Sequence, residues 1–118
     1  MNELPVLDPQ PLRDLLEMGV APALIQELIT LFQEDVPTHV AVLRSALTAL
    51  DGRQTRMEAH QLKGALGNLG LARFADLASR IEACAMADHL DMAPILAEAL
   101  PAAYEEALVA LRKAHPQV

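Results

Sequence analysis

One segment of the sequence, AHQLKGALGNLGL at residues 59–71, combines a histidine, a lysine and glycines at helical spacing. A neutral imidazole nitrogen can attack phosphorus and carry a phosphoryl group, so His60 is a candidate nucleophile. Lys63 is spaced to stabilise the oxygens of the group in transfer, and Arg56 is a second candidate for the same role. Gly64 and Gly67 leave bare surface on the turns after the histidine, although each costs a helix about 1 kcal/mol relative to alanine. The pattern predicts phosphoryl transfer at an accessible histidine.

The leucines of the segment predict which way His60 points. An α-helix turns by about 100° per residue. With Leu62 at the centre of the core face, Leu66 lies about 40° away and His60 about 160° away. Gly67 and Gly64 then lie about 20° and 40° from the histidine, on one contiguous surface. We therefore expect the imidazole to face solvent.

Basic and apolar side chains are predicted around the same face. Arg53 and Arg56 precede His60 by two turns and by one turn of helix. Met57 lies about 60° to one side of the histidine. Such an exposed site lacks the enclosure of an enzyme pocket, so we expect a partner molecule to bring the rest of the active site.

The elements that must position this segment are helices. The chain has 118 residues, of which 53% are hydrophobic, 21% charged and 3% aromatic. This composition predicts a single folded domain over residues 1–118. Alanine, leucine and glutamate dominate, which favours helix, and no strand pattern is found.

Apolar residues at helical spacing predict five helices. The first is short and ends at Gly19. The second runs from about Ala21 almost to Asp51 and kinks at Pro37 without breaking, and the third runs from about Arg53 to Asn68. The fourth runs from about Ala72 to a break at 87–91, and the last runs from about Met92 to Ala114 and kinks at Pro101. Four sizeable helices with short connections predict an all-α, antiparallel up-down four-helix bundle, with the additional short N-terminal helix at one end.

Charge and cysteine content exclude several classes of function. The formal net charge is −7 and the pI is near 4.9. This argues against binding of nucleic acid, which needs clustered Lys and Arg, and against docking on anionic membranes. Cys84 is the single cysteine, so no internal disulfide can form. Without a signal peptide or a long apolar run, we expect a soluble, cytoplasmic protein, and Met1 with the compact termini favours a free-standing one.

The segment around His60 resembles the signature of histidine-containing phosphotransfer (HPt) domains. That signature reads Ala-His-x-Leu-Lys-Gly, then Asn-x-Gly, then a helix ending near Leu/Ile-Glu. The matching positions are Ala59, His60, Leu62, Lys63, Gly64, Asn68, Gly70, Ile81 and Glu82. The stretch at 32–37 also resembles the Phe-x-x-Asp-x-Pro segment of the family's second helix. Gly67 stands where many members carry alanine or serine, which should loosen the helix slightly.

The resemblance implies roles for individual residues. His60 would be the phosphoacceptor, through Nε2, while Lys63 would assist electrostatically and Gly64 would give access. The family relays phosphoryl groups to and from an aspartate on response-regulator receiver domains. Docking on a receiver is then expected to involve Arg56, Met57, Gln61, Gly64, Gly67 and Asn68.

The resemblance also implies the partners and cofactors. Response-regulator receiver domains and a hybrid sensor histidine kinase would be the partners of a monomeric chain. The Mg²⁺ used in the transfer lies in the receiver, so no metal and no other cofactor are expected here. Because the chain has no glycine-rich nucleotide loop and is too short to add a kinase domain, we expect a phosphocarrier without kinase activity.

Two other interpretations stay open. In the first, the chain transfers no phosphate and is a non-catalytic helical adaptor that binds a signalling partner through the same His60 face. A carboxylate–histidine metal site in the bundle core is the second, although no paired Glu-x-x-His pattern occurs. His39, His89 and His115 lack the glycines and cations that surround His60, so we expect them to be ordinary surface or loop residues.

Overall fold

The computed structural model describes residues 4–116, and all regular secondary structure within this range is α-helical. The helices are α1 (Gln10–Glu17), α2 (Pro22–Thr48), α3 (Gly52–Asn68), α4 (Ala72–Met86), α5 (Ala93–Glu98) and α6 (Leu100–Ala114). The all-α prediction is confirmed. The predicted domain 1–118 includes residues 1–3 and 117–118, which lie outside the described residues, and its boundaries stay a prediction.

The four long helices form the predicted bundle. Helix α3 packs between α2 and α4, and α6 closes the bundle against the other side of both. Short connections reverse the chain between successive helices, so neighbours run antiparallel. None of the helices within residues 4–116 combines the length and the apolar character needed to cross a bilayer.

Every helix contributes to one hydrophobic core. The largest fully buried apolar side chains are Phe74, Leu12, Ile25, Ile29, Leu43, Leu66, Leu71, Ile81, Leu100 and Leu111. Leu12 anchors the short α1, and α5 buries the small residues Ala93 and Ala97. Burial of this amphipathic stripe, rather than helix propensity, is the main source of stability for helices of this length.

Helix α2 runs through Pro37 as the sequence predicted. The proline lies on the exposed side, while Val36 and Val40 stay buried on the core side. A proline removes one backbone hydrogen bond, but burial of the apolar stripe on both sides of it holds the helix together. The prediction of one helix is confirmed, and the kink at Pro37 stays a prediction.

The C-terminal helix differs from its prediction. We predicted one kinked helix from about Met92 to Ala114, but the chain breaks at Ala99 into α5 and α6. Pro101 lies in the first turn of α6. An interior proline clashes with the carbonyl four residues earlier and has no N–H to donate, and both costs are avoided when it lies in the first turn of a new helix.

Gly70 ends α3 and seats the N-terminal segment on the bundle. Its φ is +81°, and the Leu71 N–H donates to the Leu66 carbonyl at 3.0 Å, which closes the helix with a left-handed cap. The Asp8 N–H also donates to the Gly70 carbonyl at 2.7 Å. A Cβ at Gly70 would clash with the carbonyl oxygen of Asp8. The predicted helix stop is therefore confirmed, and the glycine also allows this close approach.

We expect Gly70→Ala to lower the free energy of unfolding by about 3 kcal/mol, because a left-handed backbone costs an L-residue about 1–2 kcal/mol and the clash adds to it. Urea denaturation followed by circular dichroism measures the loss. Gly19→Ala is the matched control, since Gly19 has φ +93° with open space around a Cβ. Equal losses in the two variants would contradict the role of the Asp8 contact.

Candidate functional site

Helix α3 presents His60 to solvent, as the leucine spacing predicted. Ala59 and Leu62 are buried, whereas 68% of the His60 side chain is exposed. Asp51 is the N-cap of α3, and its Oδ1 accepts a hydrogen bond from the Gln54 N–H at 3.0 Å. This N-cap and the buried leucines set the start and the rotation of α3, and thereby the direction of the imidazole.

A carboxylate on α4 holds both candidate reactive groups. The Nδ1 atom of His60 lies 2.7 Å from Oε2 of Glu82, and Lys63 Nζ donates to Oε1 of the same residue at 2.6 Å. The Glu82 side chain is only 10% exposed. A buried carboxylate is costly unless it is paired, and these two partners satisfy one oxygen each.

The charge on Glu82 selects the tautomer of His60. The pKa of Glu82 lies below its ordinary value, first because Lys63 donates a hydrogen bond to it, and also because His60 does; burial acts in the opposite direction. The carboxylate is therefore ionised at neutral pH and can only accept hydrogen bonds. The proton of a neutral imidazole must then lie on Nδ1, which leaves the lone pair on Nε2 of an exposed ring.

His60 lies in an open cleft of about 820 Å³ between α3 and the C-terminal end of α4. The lining residues are Gly52, Arg53, Arg56, Met57, His60, Lys63, Glu82, Ala85, Met86 and Asp88. Met57 and Met86 form an apolar rim, with 46% and 62% of their surface exposed. Arg56 and Met57 thus share the cleft with the histidine, and their docking role stays a prediction.

The glycines on the turns after His60 are not required by packing. A Cβ added at Gly64 or at Gly67 would meet no atom within 4 Å, and neither residue has a positive φ. The fold would therefore accept alanine at both positions. This contrasts with Gly70 and supports the interpretation that the first two glycines keep the surface beside the histidine clear.

Two of the predicted docking residues face elsewhere. Gln61 and Asn68 line an apolar groove of about 670 Å³ formed by α1, α2 and α3, rather than the His60 cleft. Leu15, Leu28 and Phe32 supply much of its apolar wall. The predicted docking surface is therefore divided between two sides of α3.

Glu82 is a site residue whose role was not predicted from the sequence. There it is only a position of the family signature, with no interaction assigned. A signal was available, because Glu82 follows Ile81 and lies one turn after Ala78 in the buried stripe of α4. A charged residue on a buried stripe indicates a partner on a neighbouring helix.

The part of the chain that the structure describes contains no set of ligands for the alternative metal site. No group of three or more His, Cys, Asp or Glu side chains within residues 4–116 is arranged to hold a metal ion. His39 differs from a bare surface residue, since its Nδ1 lies 3.5 Å from Oε2 of Glu58.

We expect Glu82→Gln to lower the free energy of unfolding at neutral pH by about 2 kcal/mol, because two charge-assisted hydrogen bonds are weakened. The folded pKa of Glu82 is below its ordinary value of 4.5. Its ionisation therefore stabilises the fold above that value, and the stabilisation is lost as pH falls through the lower folded pKa. Urea denaturation across a pH series should show the difference between wild type and variant shrinking in acid.

The matched control is Glu106→Gln, which removes an exposed ion pair with Arg73. Exposed pairs contribute little, so this variant should change stability only slightly at every pH. A Glu82→Gln difference that persisted unchanged into acid would contradict the ionised state of Glu82.

The chain is similar in sequence to a known domain family and to curated proteins. The sequence model of the Hpt domain matches residues 27–113. Over 77 residues, the chain is 38% identical to the aerobic respiration control sensor protein ArcB of Escherichia coli strain K12 and to that of Shigella flexneri. The match covers 65% of this chain but 10% of ArcB, so the chain spans about a tenth of the length of these curated relatives.

A solved structure resembles nearly the whole chain. The crystal structure of histidine-containing phosphotransfer protein B (HptB) from Pseudomonas aeruginosa PAO1 superposes with a TM-score of 0.78. The sequences are 25% identical, and the superposition covers 97% of each chain. The short α1, which lies before the region matched by the family model, is thus included in the structural likeness.

Proposed function

The chain belongs to the Hpt domain family, which serves histidine phosphotransfer in two-component phosphorelays, and on that premise we propose that His60 is its phosphoacceptor. The observation that carries the proposal is the hydrogen bond of 2.7 Å between His60 Nδ1 and Glu82. With Nδ1 protonated and held by an ionised carboxylate, Nε2 has the lone pair that a nucleophile needs.

In the proposed reaction, Nε2 of His60 attacks the phosphorus of an aspartyl phosphate on a receiver domain. The new P–N bond forms as the P–O bond to aspartate breaks, and the aspartate leaves as a carboxylate. Positive charge develops on the imidazole during this step, and Glu82 stabilises it through the Nδ1–H hydrogen bond. Lys63 stabilises the phosphoryl oxygens. The reverse reaction passes the group to a second receiver.

We propose that the chain meets a hybrid sensor histidine kinase and response-regulator receivers in the cytoplasm, as a monomer. It acts as a phosphotransfer module rather than a kinase. It needs no cofactor of its own, since the Mg²⁺ used in transfer belongs to the receiver. The openness of the His60 cleft supports this division, because a partner's active site can cover the exposed ring.

The direct test is transfer from a receiver domain phosphorylated beforehand with a small phosphodonor. The purified protein should acquire phosphate that is labile in acid and stable in base, as a phosphohistidine is. Added unphosphorylated receiver should then remove it. A protein that binds the receiver but acquires no phosphate would be an adaptor, and the relay proposal would be wrong. Stoichiometric metal in the purified protein would instead favour the metalloprotein alternative.

A further inference from the structure

We propose that Arg53 and Arg56 form an anion subsite in the His60 cleft, which binds a dianionic phosphoryl group on the partner and favours phosphorylated over unphosphorylated partners. This inference rests on the proposed function of His60 and extends it to the choice of partner state. The subsite does not include Lys63, the first residue predicted to act electrostatically, but it does include Arg56, the second candidate for that role.

The first observation concerns the charge of Lys63. Its Nζ lies 2.6 Å from Oε1 of Glu82, and the Glu82 side chain is nine-tenths buried. The ammonium is thus compensated by a carboxylate before any phosphoryl group arrives. Lys63 can still donate hydrogen bonds to the phosphoryl oxygens on contact, since Glu82 accepts from only one of its three donors. Its charge, however, is already neutralised by Glu82, so attraction of an approaching dianion depends on other cations.

The second observation is that such cations are present and unpaired. Arg53 and Arg56 are exposed and line the cleft with His60. Across residues 4–116, neither guanidinium has an ion-pair or hydrogen-bond partner. A guanidinium offers a planar fork of donors that fits two phosphate oxygens, and both forks are free to do so.

The third observation is their spacing along α3. Arg56 is four residues before His60 and Arg53 is seven residues before it, so all three lie on one helical face. The helical rise separates Arg56 from His60 by about 6 Å along the axis, and Arg53 by about 10 Å. Arg56 can therefore contact a phosphoryl group beside the imidazole, while Arg53 lies farther out along the same wall.

Local charge explains why these residues should select the partner's state. The chain has a net charge of −7 and as a whole repels a dianion. Within the cleft the local charge is positive, because three cationic side chains (Arg53, Arg56 and Lys63) line it together with only two carboxylates, Glu82 and Asp88. The electrostatic field of these charges acts over about 8–10 Å at physiological salt. It therefore favours docking of a phosphorylated receiver, whose phosphoryl group adds negative charge.

The first arm of the test uses inorganic phosphate and the unphosphorylated full chain. Titration is followed through the arginine Nε–H signals by nuclear magnetic resonance. We expect weak, saturable binding that perturbs Arg53 and Arg56, and about tenfold weaker binding in the double variant R53Q/R56Q. Arg44→Gln is the matched control, because Arg44 is exposed and lies outside the cleft, and its guanidinium has no ion-pair or hydrogen-bond partner within the described residues. Equal affinity in all three proteins would overturn the subsite.

The second arm uses a receiver domain with its aspartate complexed to beryllium trifluoride, compared with the same receiver uncomplexed. Wild type and R44Q should bind the complexed receiver more tightly than the uncomplexed one. In R53Q/R56Q the ratio of the two affinities should be about tenfold smaller. Retained preference in the double variant overturns the inference, even when phosphate transfer to His60 proceeds. Absence of transfer to wild type would instead refute the proposed function, whatever the phosphate titration gives, so the two failures are distinguishable.

Discussion

Replacing His60 by glutamine should reduce phosphate acceptance from a phosphorylated receiver by more than about 10³-fold, to the level of background. Glutamine occupies similar space, but its amide nitrogen has no lone pair available to attack phosphorus. The fold should persist, because the His60 side chain is 68% exposed and glutamine is a good helix former. Acid-labile phosphate on the protein, measured over time after mixing, gives the rate.

His89→Gln is the control for this variant, because His89 is exposed in the connection between α4 and α5. It should accept phosphate at the wild-type rate. Circular dichroism of both variants should match that of the wild type. Undiminished acceptance by His60→Gln would mean that another residue carries the phosphoryl group and that the proposed role of His60 is wrong.

The second large effect is expected from Gly64→Leu, which should slow transfer about 100-fold while making the protein more stable. A Cβ at Gly64 meets nothing within 4 Å, so the leucine fits the fold and extends over the surface beside His60. Leucine in place of an interior glycine should raise the free energy of unfolding by about 0.8 kcal/mol. The same side chain would keep the phosphorus from its in-line position, and displacement by about 1 Å is enough for a 100-fold loss.

Transfer rates and urea denaturation of the same preparation test both halves of this prediction. Gly64→Ala is the graded control, since one methyl group should give most of the stability gain with a much smaller loss of rate. Should Gly64→Leu gain stability and keep its rate, the glycine would serve something other than access. Loss of stability in that variant would contradict the open space observed around Gly64.

Much of the fold follows from local patterns in the chain. Apolar spacing predicts the helices, and the leucines of α3 alone predict that His60 faces outward, which the structure confirms. Both depend on the fixed rotation per residue of an α-helix, so they require no knowledge of neighbouring helices. The continuity of α2 across Pro37 was predictable for the same reason, because its stripe stays in phase.

The break at Ala99 was harder to predict. A proline inside an apolar stripe is compatible with a kink or with a new helix start, and the two outcomes differ only in how the flanking turns pack. At Pro37 the stripe continues over a long buried face. Before Pro101, the buried residues of the short α5 are the small Ala93 and Ala97, which pack towards α2 and α4, and the chain begins a new helix.

The features of the site that could not be predicted from the sequence all involve contacts between two helices. Glu82 is 22 residues from His60, and its contact with His60 and Lys63 depends on the rotation of α4 against α3. The assignment of Gln61 to the groove beside α2 likewise depends on where the neighbouring helices lie. Residue spacing specifies directions about one helix axis, whereas side-chain packing between helices sets their relative rotation and register. The outward histidine is thus a property of α3 alone, and its proton position is a property of the α3–α4 contact.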